Sequence, residues 1–413
     1  AIALSTCGTR ESIPPLLVAL SDPDSLVAQS AIMALENLTG HVDDFDAFAK
    51  HDQRKLQAAA WQKWIADTNW QAIEADLIHR LESGDREKAR RAAVALGHIG
   101  GDSARSALRQ YVSRHRAAAA ENRLCYRGDD TRFNSLSKAN PRSLQAATRA
   151  LGYLKDERAV AMLTNTIGGH SNPETGNLFL AEAAVEALGR IGTPAAEEAL
   201  IAAFADLQDY PKYTSWYGDH SALMACHASP VHYFIIEALD AMGSTQTRQI
   251  VPHLIHSVPI DPDRALLLEN DDYEKLVGRV IRRGGAEAAV VETCLAILGD
   301  SQATADKEIQ QAISHIHRCW AGHPGAENRA AQILSLVCRD RKYEPQIRAA
   351  LDRYRKKVNT IPRVFNSGIP IVQQLPVKNW VCFFLARSLG NLADRRSVDA
   401  LIAILEQEPT EAA

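Results

Sequence analysis

The 413-residue chain is poor in cysteine and in long apolar runs, and each shortage argues against a class of protein. Its seven cysteines are odd in number and far apart, and no two of them form a Cys-x-x-Cys pair. This pattern supports neither a disulfide framework nor a zinc ribbon nor a haem attachment site, and it favours a reducing, cytoplasmic compartment. No apolar run approaches the roughly 18 residues that a membrane-spanning helix needs.

Sequence motifs of the common enzyme classes are also missing. The chain has no Gly-x-x-x-x-Gly-Lys phosphate loop, no Gly-x-Ser-x-Gly nucleophile elbow, no His-Glu-x-x-His helix and no Gly-x-Gly-x-x-Gly dinucleotide pattern. The formal net charge of -4 provides no overall attraction to nucleic acid or to a membrane surface. We therefore predict no catalytic residue, no metal and no cofactor, and we expect a protein partner rather than a nucleic acid.

A pattern of small and apolar residues recurs along nearly the whole chain. Its clearest copy is Ala95-Leu-Gly-His-Ile-Gly100. The other copies begin at Ala3, Ala34, Ala150, Ala187, Ala238, Cys294 and Ser388. A short unit that cannot bury its own apolar face must stack on its neighbours, so this signature predicts a solenoid.

Residues 90–112 show the physical basis of one unit. Its first apolar stripe, at helical spacing, consists of Ala92, Ala93, Leu96 and Ile99. We expect Gly100 and Gly101 to end this helix in the left-handed conformation that glycine adopts at little cost. Asp102 or Ser103 should then cap the next helix. The predicted buried residues of that helix are Ala104, Ala107, Leu108, Tyr111 and Val112. Each unit is therefore predicted to be a helix, a tight turn and a second helix.

These segments resemble HEAT repeats, and most closely the short HEAT-like repeats also found in phycobilisome lyases. The segments that carry the resemblance are residues 90–112, 143–167, 181–204 and 383–405. The resemblance implies an all-α fold, an α-solenoid of about 7 to 9 helix-turn-helix repeats. We expect residues 1–413 to form one continuous solenoid. Neither end carries a polar capping repeat, so we also expect the chain to be a fragment of a longer protein.

Two enzyme families that resemble this architecture can be compared with the chain. Deoxyhypusine hydroxylases hold iron through repeated His-Glu dipeptides, and none of the fourteen histidines here is followed by glutamate. Bilin lyases share the repeat type, but no catalytic motif of theirs can be matched to residues of this chain. HEAT-like DNA glycosylases would require a basic concave face, which the acidic balance of the chain argues against.

The spacing of the signature is irregular. Successive copies begin 31, 61, 55, 37, 51, 56 and 94 residues apart, and the longer intervals exceed what a plain helix pair needs. We predict insertions near residues 122–141, 168–177, 207–230, 258–272 and 359–378. Long loops within a compact array are usually functional or disordered, and these contain aromatic and aliphatic residues that favour order.

The insertion at residues 207–233 is the most aromatic and the richest in histidine. Its candidate residues for a binding surface are Tyr213, Trp216, Tyr217, Asp219, His220, Cys226, His227 and His232. Aromatic side chains with polar tips suit recognition, because they combine a large rigid contact area with a hydrogen-bonding end. Packing over a helix end is the structural alternative. A metal or catalytic site is another, although the histidine and cysteine spacing matches no known ligand pattern.

Residues 339–363 carry nine basic residues against three acidic ones, a local charge of +6. The predicted patch for an anionic partner consists of Arg353, Arg355, Lys356, Lys357 and Arg363. Charge on this scale can attract an acidic partner or a phosphate group. The alternative is a solvated helix face.

Several other residues have a structural interpretation. Cys7 and Cys294 occupy apolar positions of the signature, which predicts that both thiols are buried. Trp61, Trp64 and Trp70 have the spacing of core residues in a helix pair. The sequence leaves three functions open. The first is a non-catalytic scaffold that binds a protein or another domain of its own chain through a loop-bearing face. The second is an enzyme or enzyme subunit, bilin-lyase-like or metal-dependent, that uses residues 207–233, and the third is a binder of an anionic partner through residues 339–363.

Overall fold

The computed structural model describes residues 1–83, 85–121, 141–169, 178–206, 230–258, 271–314, 325–356 and 377–407. Within these ranges all regular elements are α-helices or short 3-10 helices, and no strand occurs. The predicted all-α solenoid class is confirmed. The chain divides into two compact units, unit 1 (Ala1–Leu207) and unit 2 (Gln208–Ala413). That the two units form one continuous solenoid remains a prediction.

The helices of unit 1 are α1 (Leu4–Cys7), α2 (Ile13–Ala19), α3 (Ser25–Thr39), α4 (His51–Asp67), α5 (Trp70–Leu81), α6 (Arg86–Ile99), α7 (Asp102–Glu121), α8 (Pro141–Tyr153), α9 (Val160–Gly169), α10 (Leu178–Ile191) and α11 (Pro194–Asp206). The helices that end in the signature, α3, α6, α8 and α10, pack side by side in one row, and α1 contacts α3. We call α3, α6, α8 and α10 first helices. The second helices α2, α5, α7 and α9 each pack against the next first helix, which is the stacking of an α-solenoid.

The helices of unit 2 are α12 (Pro230–Met242), α13 (Val251–Ser257), α14 (Asp271–Arg283), α15 (Glu287–Ile297), α16 (Lys307–Ser314), α17 (Ala326–Val337), α18 (Glu344–Lys356), α19 (Val377–Leu392) and α20 (Val398–Gln407). Its first helices α12, α14, α17 and α19 pack in a row, and the second helices α15 and α18 pack against α17 and α19. The signature copy predicted at Cys294 therefore lies in a second helix, because α14 already provides the first helix of that pair.

The glycine of the signature is explained by the close approach of neighbouring first helices. A Cβ added at Gly97 would lie 2.9 Å from the Cα of Ala150, and one added at Gly152 would lie 2.6 Å from the Cα of Ala187. In both cases the third residue of one signature faces the first residue of the next. The fourth residues, His98, Tyr153 and Arg190, also contact one another in turn, so α6, α8 and α10 run parallel with their backbones close together.

The predicted left-handed end of α6 is wrong. Gly100 has a φ of -68°, although Gly192, Gly243 and Gly299 do end other helices with positive φ values of 68°, 71° and 90°. Glycine is required at position 100 for space, because an added Cβ would overlap the Ala104 Cβ and the Leu96 carbonyl oxygen. The α6 stripe itself is confirmed, since Leu96 is fully buried.

The predicted cap of α7 is also wrong. Neither Asp102 nor Ser103 caps it. Instead, Glu74 of α5 accepts hydrogen bonds on Oε1 from the backbone N–H groups of Gly101, at 3.0 Å, and Ala104, at 2.8 Å. A carboxylate at this position also interacts favourably with the helix dipole. Asp102 accepts a hydrogen bond from Arg105 at 2.6 Å.

In four places, an arginine side chain contacts the end of a following first helix. Arg105 donates to the Leu154 carbonyl at 3.0 Å, Arg282 to the Leu336 carbonyl at 2.9 Å and Arg341 to the Leu392 carbonyl at 3.1 Å. Arg10 donates in the same way to the Ile99 carbonyl at 2.6 Å. The last carbonyls of a helix lack partners within the helix and carry the negative end of its dipole, so a cation is stabilising there.

The predicted burial of the cysteines and tryptophans is confirmed for some of these residues and wrong for others. Cys294 is fully buried, as predicted, but Cys7 is exposed, because it ends a one-turn helix that no described helix covers on that side. Trp61 is fully buried in α4. Trp64 and Trp70 are half-buried, at the margin of the core rather than within it.

Candidate functional site

Each unit has two edges with different connections. At the turn edge, first helices end and, except after α3, short turns lead to second helices, as at residues 100–101 and 192–193. At the loop edge, second helices end and the next first helices begin. Four long segments outside the described residues join a second helix to the next first helix there. They are 122–140 and 170–177 in unit 1, and 259–270 and 357–376 in unit 2; a fifth segment, 315–324, joins α16 to α17. Residues 207–229 lead into α12, so they also reach the loop edge of unit 2.

The predicted aromatic binding surface falls almost entirely in that last segment. Seven of its eight residues lie outside the described ranges: Tyr213, Trp216, Tyr217, Asp219, His220, Cys226 and His227. His232 lies in the first turn of α12 and is only 6% exposed. Its side chain therefore belongs to the packed start of the helix and not to an exposed surface.

The predicted basic patch is only partly described. Its residues are Arg353, Arg355, Lys356, Lys357 and Arg363. The last two lie outside the described ranges, and Lys356 ends α18. Arg353 donates to the Leu298 carbonyl at 3.2 Å and is half-buried. Nearby, Arg339 donates to the Cys338 carbonyl at 2.7 Å. Part of the basic charge of this segment is therefore used to hold helix ends.

A buried polar cluster lies among the first helices of unit 2. It consists of Ser257, Tyr273, Glu274, Arg329 and Gln332, all at most 8% exposed. Gln332 donates to Glu274 Oε1 at 3.0 Å, and Arg329 donates to Gln332 Oε1 at 3.1 Å. Tyr273 donates to Ser257 Oγ at 2.8 Å. Burial raises the pKa of the Tyr273 hydroxyl far above its usual value.

The cluster connects four helices, α13, α14, α17 and α19. Arg329 also donates to the Ile255 carbonyl of α13 at 2.6 Å, and Arg387 of α19 lies 3.9 Å from Glu274 Oε2. Buried charges of this kind are retained only when hydrogen-bonded, and removing one partner is strongly destabilising. The repeat signature does not indicate this cluster, because it describes small and apolar residues. Arg329 and Gln332 are polar residues before the end of α17, a helix that is buried on all sides.

The comparisons with known proteins agree with this geometry. Residues 130–213, which include α8 to α11, match the family model described as HEAT repeats. Residues 381–407, which include most of α19 and all of its partner α20, match the PBS lyase HEAT-like repeat. The chain is a HEAT-like repeat protein. No curated protein sequence matches it significantly.

In the HEAT-like repeats of unit 1, side chains of successive first helices form a polar ladder. His98 contacts Tyr153, with ring centroids 4.8 Å apart, and the Arg190 guanidinium lies 4.0 Å from the Tyr153 ring. All three occupy the fourth position of successive signatures. Arg190 also pairs with Glu186 at 2.6 Å, so this face is largely neutralised by internal ion pairs.

Two further findings concern the described part of these HEAT-like repeats. No three His, Cys, Asp or Glu side chains there are arranged to hold a metal ion. No helix among the described residues is long and apolar enough to cross a membrane.

Proposed function

We propose that this HEAT-like repeat protein is a non-catalytic scaffold, and that it binds a protein partner or another domain of its own chain through the loop edge. The observation that carries the proposal is that four long segments, 122–140, 170–177, 259–270 and 357–376, each join a second helix to the next first helix at that edge. Repeat arrays of this type generally serve as interaction surfaces, and their insertions on one side commonly form the binding face.

The contrast between the two edges supports this choice. At the turn edge, the turns are short, and polar groups serve to stabilise the fold through arginine contacts such as that of Arg105 with the Leu154 carbonyl. At the loop edge, the repeats carry residues that stacking does not require. The aromatic segment before α12 and the basic segment before α19 enter unit 2 at the same edge, so Trp216, Tyr217 and Lys357 could contribute to one surface.

An enzymatic role is the second candidate, because one matching family model takes its name from phycobilisome lyases. Its chemistry would have to come from residues such as His220, Cys226 and His227, since the described residues provide no metal cluster. Elemental analysis of the purified protein tests the metal version. About one bound metal ion per chain, lost in His220→Ala and Cys226→Ala, would favour this role over the scaffold.

The scaffold proposal is tested by replacing Trp216 and Tyr217 together with alanine. Quantitative affinity purification with the full chain as bait should lose its specific partners, because aromatic residues dominate interface energies. The melting temperature should stay within a degree or two of the parent.

An Ile402→Ala variant, which changes an exposed apolar residue on α20, is the matched control and should retain all partners. Retention of the same partners by the Trp216/Tyr217 variant would contradict the proposed surface. A much lower melting temperature would show that the segment serves packing.

A further inference from the structure

The connector, residues 41–50, joins α3 to α4 and runs back along the length of α3. The chain leaves α3 at Gly40, whose carbonyl accepts a hydrogen bond from Arg80 at 3.1 Å. Four residues into α4, Arg54 donates to the Asp22 carbonyl at 3.0 Å, beside the start of α3. The connector therefore covers the distance from one end of α3 to the other, roughly 22 Å at 1.5 Å per helical residue.

Several contacts hold the connector in place. Ala47 is 1% exposed, and the Asp46 N–H donates to Gln57 Oε1 of α4 at 3.2 Å. At its start, His41 stacks on Trp64 of α4, with ring centroids 3.8 Å apart. The connector and α4 consequently form one fixed surface, although the repeat signature has no place for either.

This surface exposes large apolar side chains that do not belong to the core. Val42 is 56% exposed, Phe48 67% and Leu56 of α4 75%. Eleven large apolar residues are exposed in the described part of the chain, and seven of them fall between residues 18 and 56. Single exposed apolar residues are ordinary, but such a concentration indicates an interaction site.

The same surface is acidic. Asp43, Asp44, Asp46 and Asp52 accompany Lys50, a net charge of -3 over residues 41–52, and residues 11–49 contain no lysine or arginine at all. Several other exposed carboxylates of unit 1 are paired, as Asp76 is with Arg80 at 2.6 Å. None of these four aspartates, three in the connector and one in α4, forms an ion pair within the described residues.

We propose that this face, formed by the connector and the exposed side of α4, binds a basic amphipathic segment of a partner protein. The apolar side chains would receive its apolar residues, and the unpaired aspartates would select its positive charges. A second copy of this chain is a poor occupant, because the described arginines of its basic segment, up to residue 356, are engaged, as Arg341 is with the Leu392 carbonyl. The site is independent of the loop edge.

The test uses a fluorescently labelled helical peptide of about 18 residues, with leucines on one face and lysines on the other. A peptide with glutamates in place of the lysines is its control. Anisotropy titrations with the full chain should show binding of the lysine peptide alone. Affinity should fall as salt rises, because the aspartates are exposed to solvent.

Variants then locate the site. Phe48→Ser with Leu56→Ser should weaken the lysine peptide about tenfold or more, as the loss of two buried apolar contacts implies. Asp44→Asn with Asp52→Asn should weaken it less and flatten its salt dependence. The matched controls Ile402→Ser and Glu157→Gln, which change an exposed apolar and an exposed acidic residue elsewhere, should have no effect.

Three results would overturn the proposal. One is equal binding of the glutamate peptide, and another is binding unaffected by the Phe48 and Leu56 changes. The third is sedimentation showing a dimer that Phe48→Ser dissociates, because the occupant would then be a second copy. Since Trp216 and Tyr217 are untouched in all these variants, failure here leaves the loop-edge function standing.

Discussion

Replacing the signature glycine of α8 by alanine should destabilise the protein, although alanine is the better helix former. An added Cβ at position 152 would lie 2.6 Å from the Ala187 Cα and 3.0 Å from both the Ala187 Cβ and carbonyl oxygen. These are backbone atoms or fixed to the backbone, so α10 as a whole must move away. Overpacking of this kind costs about 1 to 3 kcal/mol.

The opposing gain is smaller. Alanine stabilises a helix interior by about 0.5 to 1 kcal/mol relative to glycine. We therefore expect Gly152→Ala to lower the unfolding free energy by about 1 to 2 kcal/mol. Gly390 occupies the same signature position in α19, but a Cβ added there would have no described atom within 4 Å. Gly390→Ala should be stabilising by about 0.5 to 1 kcal/mol.

The two variants should be compared by urea unfolding, monitored by far-ultraviolet circular dichroism. Because repeat arrays need not unfold in one step, hydrogen exchange of α8 and α10 provides the local measurement. Amides of these helices should exchange faster in Gly152→Ala. If Gly152→Ala equals or exceeds the parent in stability, close backbone approach is not the reason for glycine in the signature.

Three further outcomes follow from the same packing. Leu96→Ala should cost about 2 to 5 kcal/mol in a thermal or urea melt, whereas the exposed Leu56→Ala should cost under about 0.5; equal costs would show that the stripe is misassigned. Glu74→Ala should lower the unfolding free energy by about 1 to 3 kcal/mol, because two N–H groups at the start of α7 lose their acceptor. Hydrogen exchange should become faster at that helix start, and unchanged exchange would contradict the cap. Burial holds the pKa of His98 below its ordinary value of 6.5. The unfolded chain therefore binds a proton more readily, so stability should fall as the pH drops below about 6.5, and His98→Gln should reduce this slope in melts between about pH 7.5 and about pH 5.5. A slope identical to that of the parent would exclude His98 as a cause.

The local part of the fold could be predicted from the sequence. The apolar stripe of α6 and the glycine that follows it depend on residues close together in the chain, and the structure has Leu96 where the spacing placed it. The cap of α7 could not be predicted in this way. Its acceptor, Glu74, lies 27 residues before the amide that it caps. A local pattern favours Asp102, a nearer carboxylate that binds Arg105 instead of capping the helix.

The candidate sites differ for the same reason. Composition singled out residues 207–233, because clustered aromatic and histidine residues are visible in any sequence. The connector face is not visible in this way, since Phe48 and Leu56 look like ordinary core residues until their exposure is known. The buried cluster of Glu274, Arg329 and Gln332 is formed by residues up to 58 positions apart, which only the stacking of the first helices brings together.

The arginine contacts at the turn edge run mostly forward along the chain. Arg10, Arg105, Arg282 and Arg341 precede the carbonyl that they bind, by 89, 49, 54 and 51 residues. Arg80 and Arg283 instead follow the carbonyls that they bind, those of Gly40 and Asp240. During synthesis, each of the four forward arginines emerges from the ribosome before the helix end that it stabilises. Newly made α6, α8, α17 and α19 thus meet a docking partner that is already in place, which favours vectorial assembly of these pairs without waiting for the whole chain.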